Sequence, residues 1–341
     1  MIIRENVNLK DLTTMRLGGP ARFVIEVESM EDVSDAFEFV NSHNLPFYFL
    51  GLGANSLGKD EGFPGAVIIN KIKGYQILTS SADCLEVKAG GGEIWDDFVQ
   101  FVVDKGFSGV EAMSKIPGCL AAAPVQKIGA YGQEAKDTIV SVEAYDTLLD
   151  EFVEFKNSEC DFSYRHSIFN SGASKGRYFI LTVTFRFTKK QIEGPLYNSL
   201  QAYLDEHDIK NHDPKTIRNA VAEIRKSKLP DPDKIASAGS FFKNIILDQP
   251  PKNKNIPFRE TSDGKFKVNT GWLLEDAGLK GKVFHGFKIS DKAALILINE
   301  SGKSYADLEH AVSEIQKIIK DKYDLDLEPE PVKIEGETFN D

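Results

Sequence analysis

The segment Ile180–Thr188, ILTVTFRFT, limits the fold more than any other stretch of the chain. Leu181, Val183, Phe185 and Phe187 alternate there with Thr182, Thr184 and Arg186. Successive side chains of a strand point to opposite faces, so this period predicts one buried face and one solvated face. Such strands belong to antiparallel sheets, because parallel sheets are covered on both sides and read as continuous apolar runs. The expected class is therefore α+β rather than a doubly wound parallel sheet.

Other elements can be read around that strand. Ser29 can cap a helix with Asp32 three residues on, and Val33, Ala36, Phe37 and Val40 give it one apolar face. LPFYFLGLGANSL reads as a buried strand entering a glycine turn, and GAVIIN and LEVKAGGG as two further strands. Trp95, Phe98, Val99 and Val102 have helical spacing before Gly106, a C-cap residue. After Lys190 the pattern breaks into a connecting segment with one short helix. Asp213 followed by Pro214 opens another helix, with Ile217, Ala220, Val221 and Ile224 as its stripe and Pro230 beyond its end. A last helix spans about Ser304 to Lys320, burying Leu308, Val312, Ile315 and Ile319, and DQPPKNKN is an exposed loop. The expected organisation is a first domain over 1–190 (subdomains about 1–70 and 71–190), a linker over 191–212 and a C-terminal domain over 213–341.

Charge and cysteine usage narrow the partners. With 52 acidic against 41 basic residues the net charge is −11, which disfavours nucleic acid and anionic membranes, whose affinity rests on charge neutralisation. Small anions remain accessible to a local cluster of cations and N–H groups. No stretch approaches the roughly 20 apolar residues of a membrane span, and the N-terminus lacks the apolar core of a signal peptide. Three scattered cysteines form neither a disulfide framework nor a C-x-x-C pair, so a cytoplasmic setting is expected. No cluster of His, Cys or acids has metal-ligand spacing, and no metal is expected.

Several stretches can carry chemistry. GLGANSL (51–57) follows a strand, and its glycines let successive N–H groups approach a phosphate, with Asn55 and Ser56 adding hydrogen bonds. It lacks the third glycine of a dinucleotide fingerprint and the Lys of a P-loop, and it reads equally as the turn that ends a strand. IPGCLAAAPVQKIGAYG (116–132) leaves backbone open along a track of small residues, against which a planar ligand can lie with Tyr131 as a wall. A tight crossover loop would use the same residues. DFSYRHS sets Arg165 among aromatics, where a guanidinium can grip a carboxylate with both arms. IRKSKLPDPD groups Arg225, Lys226 and Lys228 at a helix end, suited to a diphosphate or to the helix dipole alone. Ser240 in ASAGSFFKN has no histidine near it in sequence, and Glu330 stands between prolines in EPEPVKI.

Taken in order, GLGANSL, IPGCLAAAPVQKIGAYG, YRHSIF, RKSKLPDP, AGSFFKN and the terminal PEP resemble the UDP-N-acetylenolpyruvoylglucosamine reductases over nearly the whole chain. Tyr197 in PLYNSL is similar to the tyrosine loop of the type I branch. The resemblance implies an FAD-binding region of the vanillyl-alcohol-oxidase/PCMH type followed by a substrate domain. It implies NADPH as hydride donor, UDP-N-acetylglucosamine enolpyruvate as substrate and a monomer. FAD would rest its diphosphate on Gly51, Leu52, Gly53, Ala54, Asn55 and Ser56. The rest would follow Pro117, Gly118, Ala122, Ala123, Ile128, Gly129 and Tyr131, with Arg225 beside it. Ala122 and Ala123 stand where many relatives have serines, so hydroxyl contacts are missing there. No histidine occurs from Leu45 to Val142, so FAD is expected to be held without a covalent bond. The resemblance makes Arg165 the partner of the substrate carboxylate, Ser240 the proton donor and Glu330 the acidic partner of the enolate. Tyr197, Lys228 and Asn244 would hold the sugar nucleotide. A flavin oxidase of small alcohols has no use for AGSFFKN and PEP together.

Overall fold

The computed structural model describes residues 1–194, 196–231, 234–261 and 264–336. Its first part runs β1 (Ile2–Asn8), β2 (Pro20–Val27), α1 (Glu31–Ser42), β3 (Phe47–Leu50), β4 (Ser56–Leu57) and β5 (Phe63–Asn70). Next come β6 (Tyr75–Ser80), β7 (Cys84–Gly90), α2 (Trp95–Asp104), α3 (Ala122–Gln126), β8 (Gly129–Ala130) and β9 (Gln133–Glu134). They are followed by β10 (Ile139–Asp146), β11 (Glu151–Lys156) and β12 (Tyr178–Thr188). The helices α4 (Asn198–Glu206) and α5 (Pro214–Lys228) lead to β13 (Ser237–Ser240), β14 (Ile245–Leu247), β15 (Phe258–Glu260) and β16 (Phe266–Val268). The chain continues through α6 (Thr270–Asp276), β17 (Val283–Phe284), β18 (Phe287–Ile289), β19 (Ile296–Asn299), α7 (Tyr305–Tyr323) and β20 (Val332–Lys333).

Two sheets form the first half. One has the order β1-β2-β5-β3, in which β5 is parallel to both β2 and β3. The other, β11-β10-β12-β7-β6, is antiparallel throughout. The α+β class read from ILTVTFRFT holds, but the expected faces of β12 do not. A register shift opposite Glu143 and Ala144 inserts a bulge, and an added residue reverses the alternation beyond it. Leu181 joins Phe179 against α1 and the first sheet, while Val183, Phe185 and Phe187 pack under α2. The Thr face is covered too: Thr182 donates to Glu143 at 2.7 Å, and Glu143 takes Lys88 at 2.6 Å.

Helix α1 closes the seam between the sheets. Ser29 and Asp32 exchange hydrogen bonds at 3.1 and 3.3 Å, and Phe37 stacks on Tyr145 at 4.8 Å. Helix α2 buries Trp95, Phe98, Val99 and Val102 as its spacing foretold, each worth about 1.5–3 kcal/mol of transfer free energy.

Helix α5 was expected to open the C-terminal domain, but it packs on the first half. Its apolar stripe meets α4 and Ala112. Arg218, 7% exposed in its side chain, binds Asp96 of α2 at 2.7 Å and Gln100 at 2.7 Å. Burial raises the Asp96 carboxyl, but donors on Arg218 and Lys115 outweigh it and hold the group at about 2.

The C-terminal part packs α6 and α7 over its strands and borrows Met15, Leu17 and Leu57 from the N-terminal part. Thr14 donates to the Ser237 carbonyl at 2.6 Å. Asp60 accepts from the N–H groups of Tyr305 and Ala306 at 2.7 and 3.0 Å, capping α7 from 245 residues away. Strand β20 lies parallel to β4, with Val332 opposite Ser56. These contacts place the end of the described chain beside its first glycine turn.

Candidate active site

A cavity of 550 Å³ opens where the two sheets and the C-terminal part meet. Its first wall is the turn from Gly51 to Ser56. Gly53 has φ +66°, and a Cβ there would lie 2.0 Å from the Leu12 carbonyl, so only glycine fits. The turn is tied on both sides: the Gly53 carbonyl accepts from Thr14 at 3.1 Å and the Asn55 carbonyl from Val332 at 2.8 Å. Ser56 meets the Tyr48 hydroxyl at 3.2 Å.

The second wall comes from Ile116 to Ala130. Gly118 lines the cavity with φ +145° and nothing within 4 Å of a Cβ, so a side chain there would enter space left for a ligand. The walls touch at Gly51, whose Cβ would stand 2.8 Å from the Cys119 sulfur. Rimmed by glycine backbone, the cavity suits a flat cofactor with a diphosphate. Arg225 also lines it, carried by α5 and donating to the Lys115 carbonyl at 3.2 Å. Burial lowers the affinity of that guanidinium for its proton, and Tyr131 partly restores it.

The third wall carries reactive side chains. Arg165 Nε lies 2.9 Å from Glu330 Oε1, yet its N–H is not aimed at that oxygen and is buried without an aligned acceptor among the described residues. This is Coulomb pairing rather than a directed hydrogen bond. Ser240 ends β13 on the same cavity wall. It and Glu330 are brought together by backbone: Phe241 and Glu330 pair at 2.8 Å, Lys243 and Glu328 at 2.9 Å. Asn55 reaches the Glu330 carbonyl at 3.4 Å.

The residues expected from sequence thus converge in part. Gly51, Leu52, Gly53, Ala54, Asn55, Ser56, Pro117, Gly118, Ala122, Ile128, Gly129, Arg165, Arg225, Ser240 and Glu330 all line the cavity. Ala123 does not: it is fully buried in the core under α2, since α3 turns its neighbour Ala122 outward instead. Tyr131 packs edge-on against Tyr197 at 5.9 Å, on the α4–α5 side. Tyr197 itself is 50% exposed, and Lys228 is exposed at the end of α5. Asn244 does not line the cavity: it accepts from the Thr270 N–H at 3.1 Å and also meets Tyr164, the neighbour of Arg165.

Residues the sequence did not single out also reach the site. His166 lines the cavity, with Nε2 at 3.1 Å from Asp161. The absence of histidine in the segment 45–142 therefore left out the one that folding delivers. Lys267 sits 4.4 Å over the Tyr164 ring, and burial, then Arg165 and Arg259, depress its ammonium. Lys243 lines the cavity and pairs with Glu328. No local pattern marks these lysines, because contacts between domains bring them in.

Residues 231–334 match the family model of UDP-N-acetylenolpyruvoylglucosamine reductase, C-terminal domain, and residues 21–148 match that of an FAD binding domain. The chain is 36% identical to the UDP-N-acetylenolpyruvoylglucosamine reductase of Flavobacterium johnsoniae, over 97% of this chain and 99% of that one. It is 34% identical to the reductase of Bdellovibrio bacteriovorus, over 98% and 100%. The chain belongs to the UDP-N-acetylenolpyruvoylglucosamine reductase family. The crystal structure of the family member from Thermus caldophilus shares the fold, with a TM-score of 0.69, 24% identity and coverage of 97% and 99%. As a member of this reductase family the chain is an FAD-dependent oxidoreductase of peptidoglycan precursor synthesis.

Proposed function

We propose that the chain reduces UDP-N-acetylglucosamine enolpyruvate to UDP-N-acetylmuramate, with NADPH as the source of hydride. The observation that carries this reading is the pairing of Arg165 with Glu330 at 2.9 Å on the wall that also holds Ser240. FAD would be held between the Gly51–Ser56 turn and the Ile116–Ala130 wall, and would supply the hydride chemistry when bound.

The protein's part is to hold the substrate and manage charge. Hydride addition leaves an electron pair on the neighbouring carbon, spread into the carboxylate. Arg165 receives that charge as a fixed cation in a site of low dielectric. Its uncommitted Nε–H is available to a carboxylate that displaces Glu330. Glu330 is the acidic partner on the same wall, next to the guanidinium. Ser240 gives its proton to the carbon, completing a CH–CH₃ unit, and no histidine is needed because the hydroxyl does not attack. Tyr197, Lys228 and Asn244 are proposed to hold the sugar nucleotide.

The test is to follow NADPH oxidation by the flavin-loaded protein with and without the enolpyruvyl substrate. A protein that does not take up FAD, or whose reduced flavin is indifferent to that substrate, would refute the reading. Acid precipitation should free all the flavin; flavin left in the pellet would instead point to a bond with His166. A monomeric cytoplasmic enzyme is the accompanying proposal. It is supported by three free cysteines and by the absence, among the described residues, of a helix long and apolar enough to cross a membrane.

A further inference from the structure

Arg165 occupies a conformation that its own chemistry does not favour. Ser163 and His166 close a tight turn, the Ser163 N–H donating to the His166 carbonyl at 3.1 Å and the His166 N–H donating back at 3.2 Å. Inside that turn Arg165 has φ +55°, a left-handed setting that a residue with a Cβ seldom adopts. Such a residue persists only where its surroundings determine it.

Asn170 supplies the constraint. Its Nδ2 donates to the Arg165 carbonyl at 3.2 Å, and its Oδ1 accepts from the Ser167 N–H at 3.0 Å. One carboxamide therefore spans the turn from both sides. Ser167, fully buried, extends the hold: its hydroxyl donates to the Val125 carbonyl at 2.9 Å and accepts from the Phe169 N–H at 3.2 Å. Val125 belongs to α3, so the turn is anchored to the wall expected to hold the cofactor. At its other end the guanidinium has a Coulomb partner in Glu330 but no aligned hydrogen bond from Nε among the described residues. Its direction is thus imposed from the backbone.

We infer that Asn170 is a positioning residue: it locks the left-handed backbone of Arg165 so that the guanidinium waits, aimed and uncommitted, for a carboxylate. This role rests on the reductase reading above. A displacement of about 1 Å at such a group can cost up to 100-fold in rate, and loss of one neutral hydrogen bond allows a smaller one.

Two variants of the flavin-loaded protein test it. Asn170→Asp keeps the acceptor for Ser167 and removes the donor to Arg165; Asn170→Ala removes both. Flavin reduction by NADPH and reoxidation by UDP-N-acetylglucosamine enolpyruvate are timed separately by stopped flow. Both variants should reoxidise about ten-fold more slowly while flavin reduction stays within about two-fold of wild type. The split should persist near 0.5 M salt, where the Debye length shrinks to about 4 Å and the added Asp charge is screened. Reoxidation of Asn170→Asp at the wild-type rate would overturn the inference, as would equal slowing of both half-reactions. A wild-type flavoprotein that the substrate cannot reoxidise would instead refute the reductase reading, and this role with it.

Discussion

The two sides of the cavity are built by different means. The side made by Gly51–Ser56 and Ile116–Ala130 presents main chain, and what matters there is the absence of side chains. The side made by Arg165, Ser240 and Glu330 presents functional groups delivered from three separate segments. A wall of backbone tolerates change of sequence but not of volume. A wall of side chains tolerates neither change of chemistry nor of position.

That contrast is open to direct attack. The largest effect should come from Ser240→Ala: reoxidation by the enolpyruvyl substrate should slow by about 10²–10⁴-fold, the usual share of a general acid, with FAD affinity and flavin reduction unchanged. Loss of FAD instead would mean that Ser240 belongs to the other wall. Arg218→Met should follow, because α5 carries Arg225 to the backbone wall and is held by the buried Arg218–Asp96 pair. Asp96 keeps Lys115 as a partner at 2.7 Å, so unfolding measurements should show a loss of about 1–3 kcal/mol, the range for lost hydrogen bonds to a charged group.

Acid tests the same attachment. The Asp96 carboxyl is lowered from its ordinary 3.8 to about 2 in the folded protein. Its contribution is therefore complete above pH 3.8 and disappears as pH falls toward 2. Melting curves of Asp96→Asn should be flatter than wild type across that interval.

Gly118→Val should come next, weakening FAD binding about ten-fold: it forces a Cβ into the cavity and a branched residue into a glycine-only region. Unchanged affinity in a fluorescence titration would remove Gly118 from the cofactor wall. The smallest effect, and the sharpest comparison, is between neighbours. Ala122→Ser places a hydroxyl in the cavity and should tighten FAD by about five-fold, one hydrogen bond's net worth. Ala123→Ser buries the same hydroxyl in the core and should lower the melting temperature without improving FAD binding.

Much of this was legible in the sequence because it is local. Periodicity located α1, α2, α5 and α7, and the Ser304 cap with Asp307 at 3.1 Å stands where the last helix was expected to start. Motif order brought forward Arg165, Ser240 and Glu330, which line one cavity. Illegible were features decided by distant partners. The bulge in β12 depends on what β10 places opposite it. Ala122 and Ala123 differ only in the direction α3 gives each Cα–Cβ bond. Helix α5 lies on the first half because Arg218 finds Asp96, 122 residues earlier, and His166 reaches the cavity through a turn whose left-handed residue is an arginine.

Asn55 and Glu330 touch across 275 residues of chain, and β4 finds its partner only in β20. During synthesis the glycine turn leaves the ribosome long before the strand that pins it. It must wait, along with any cofactor it is to hold, until nearly all of the described chain has followed. At the usual 5–20 residues per second that delay is on the order of 15–50 s. A product released before Glu328 would lack both β20, the strand that pairs with β4, and Glu330, which lines the cavity.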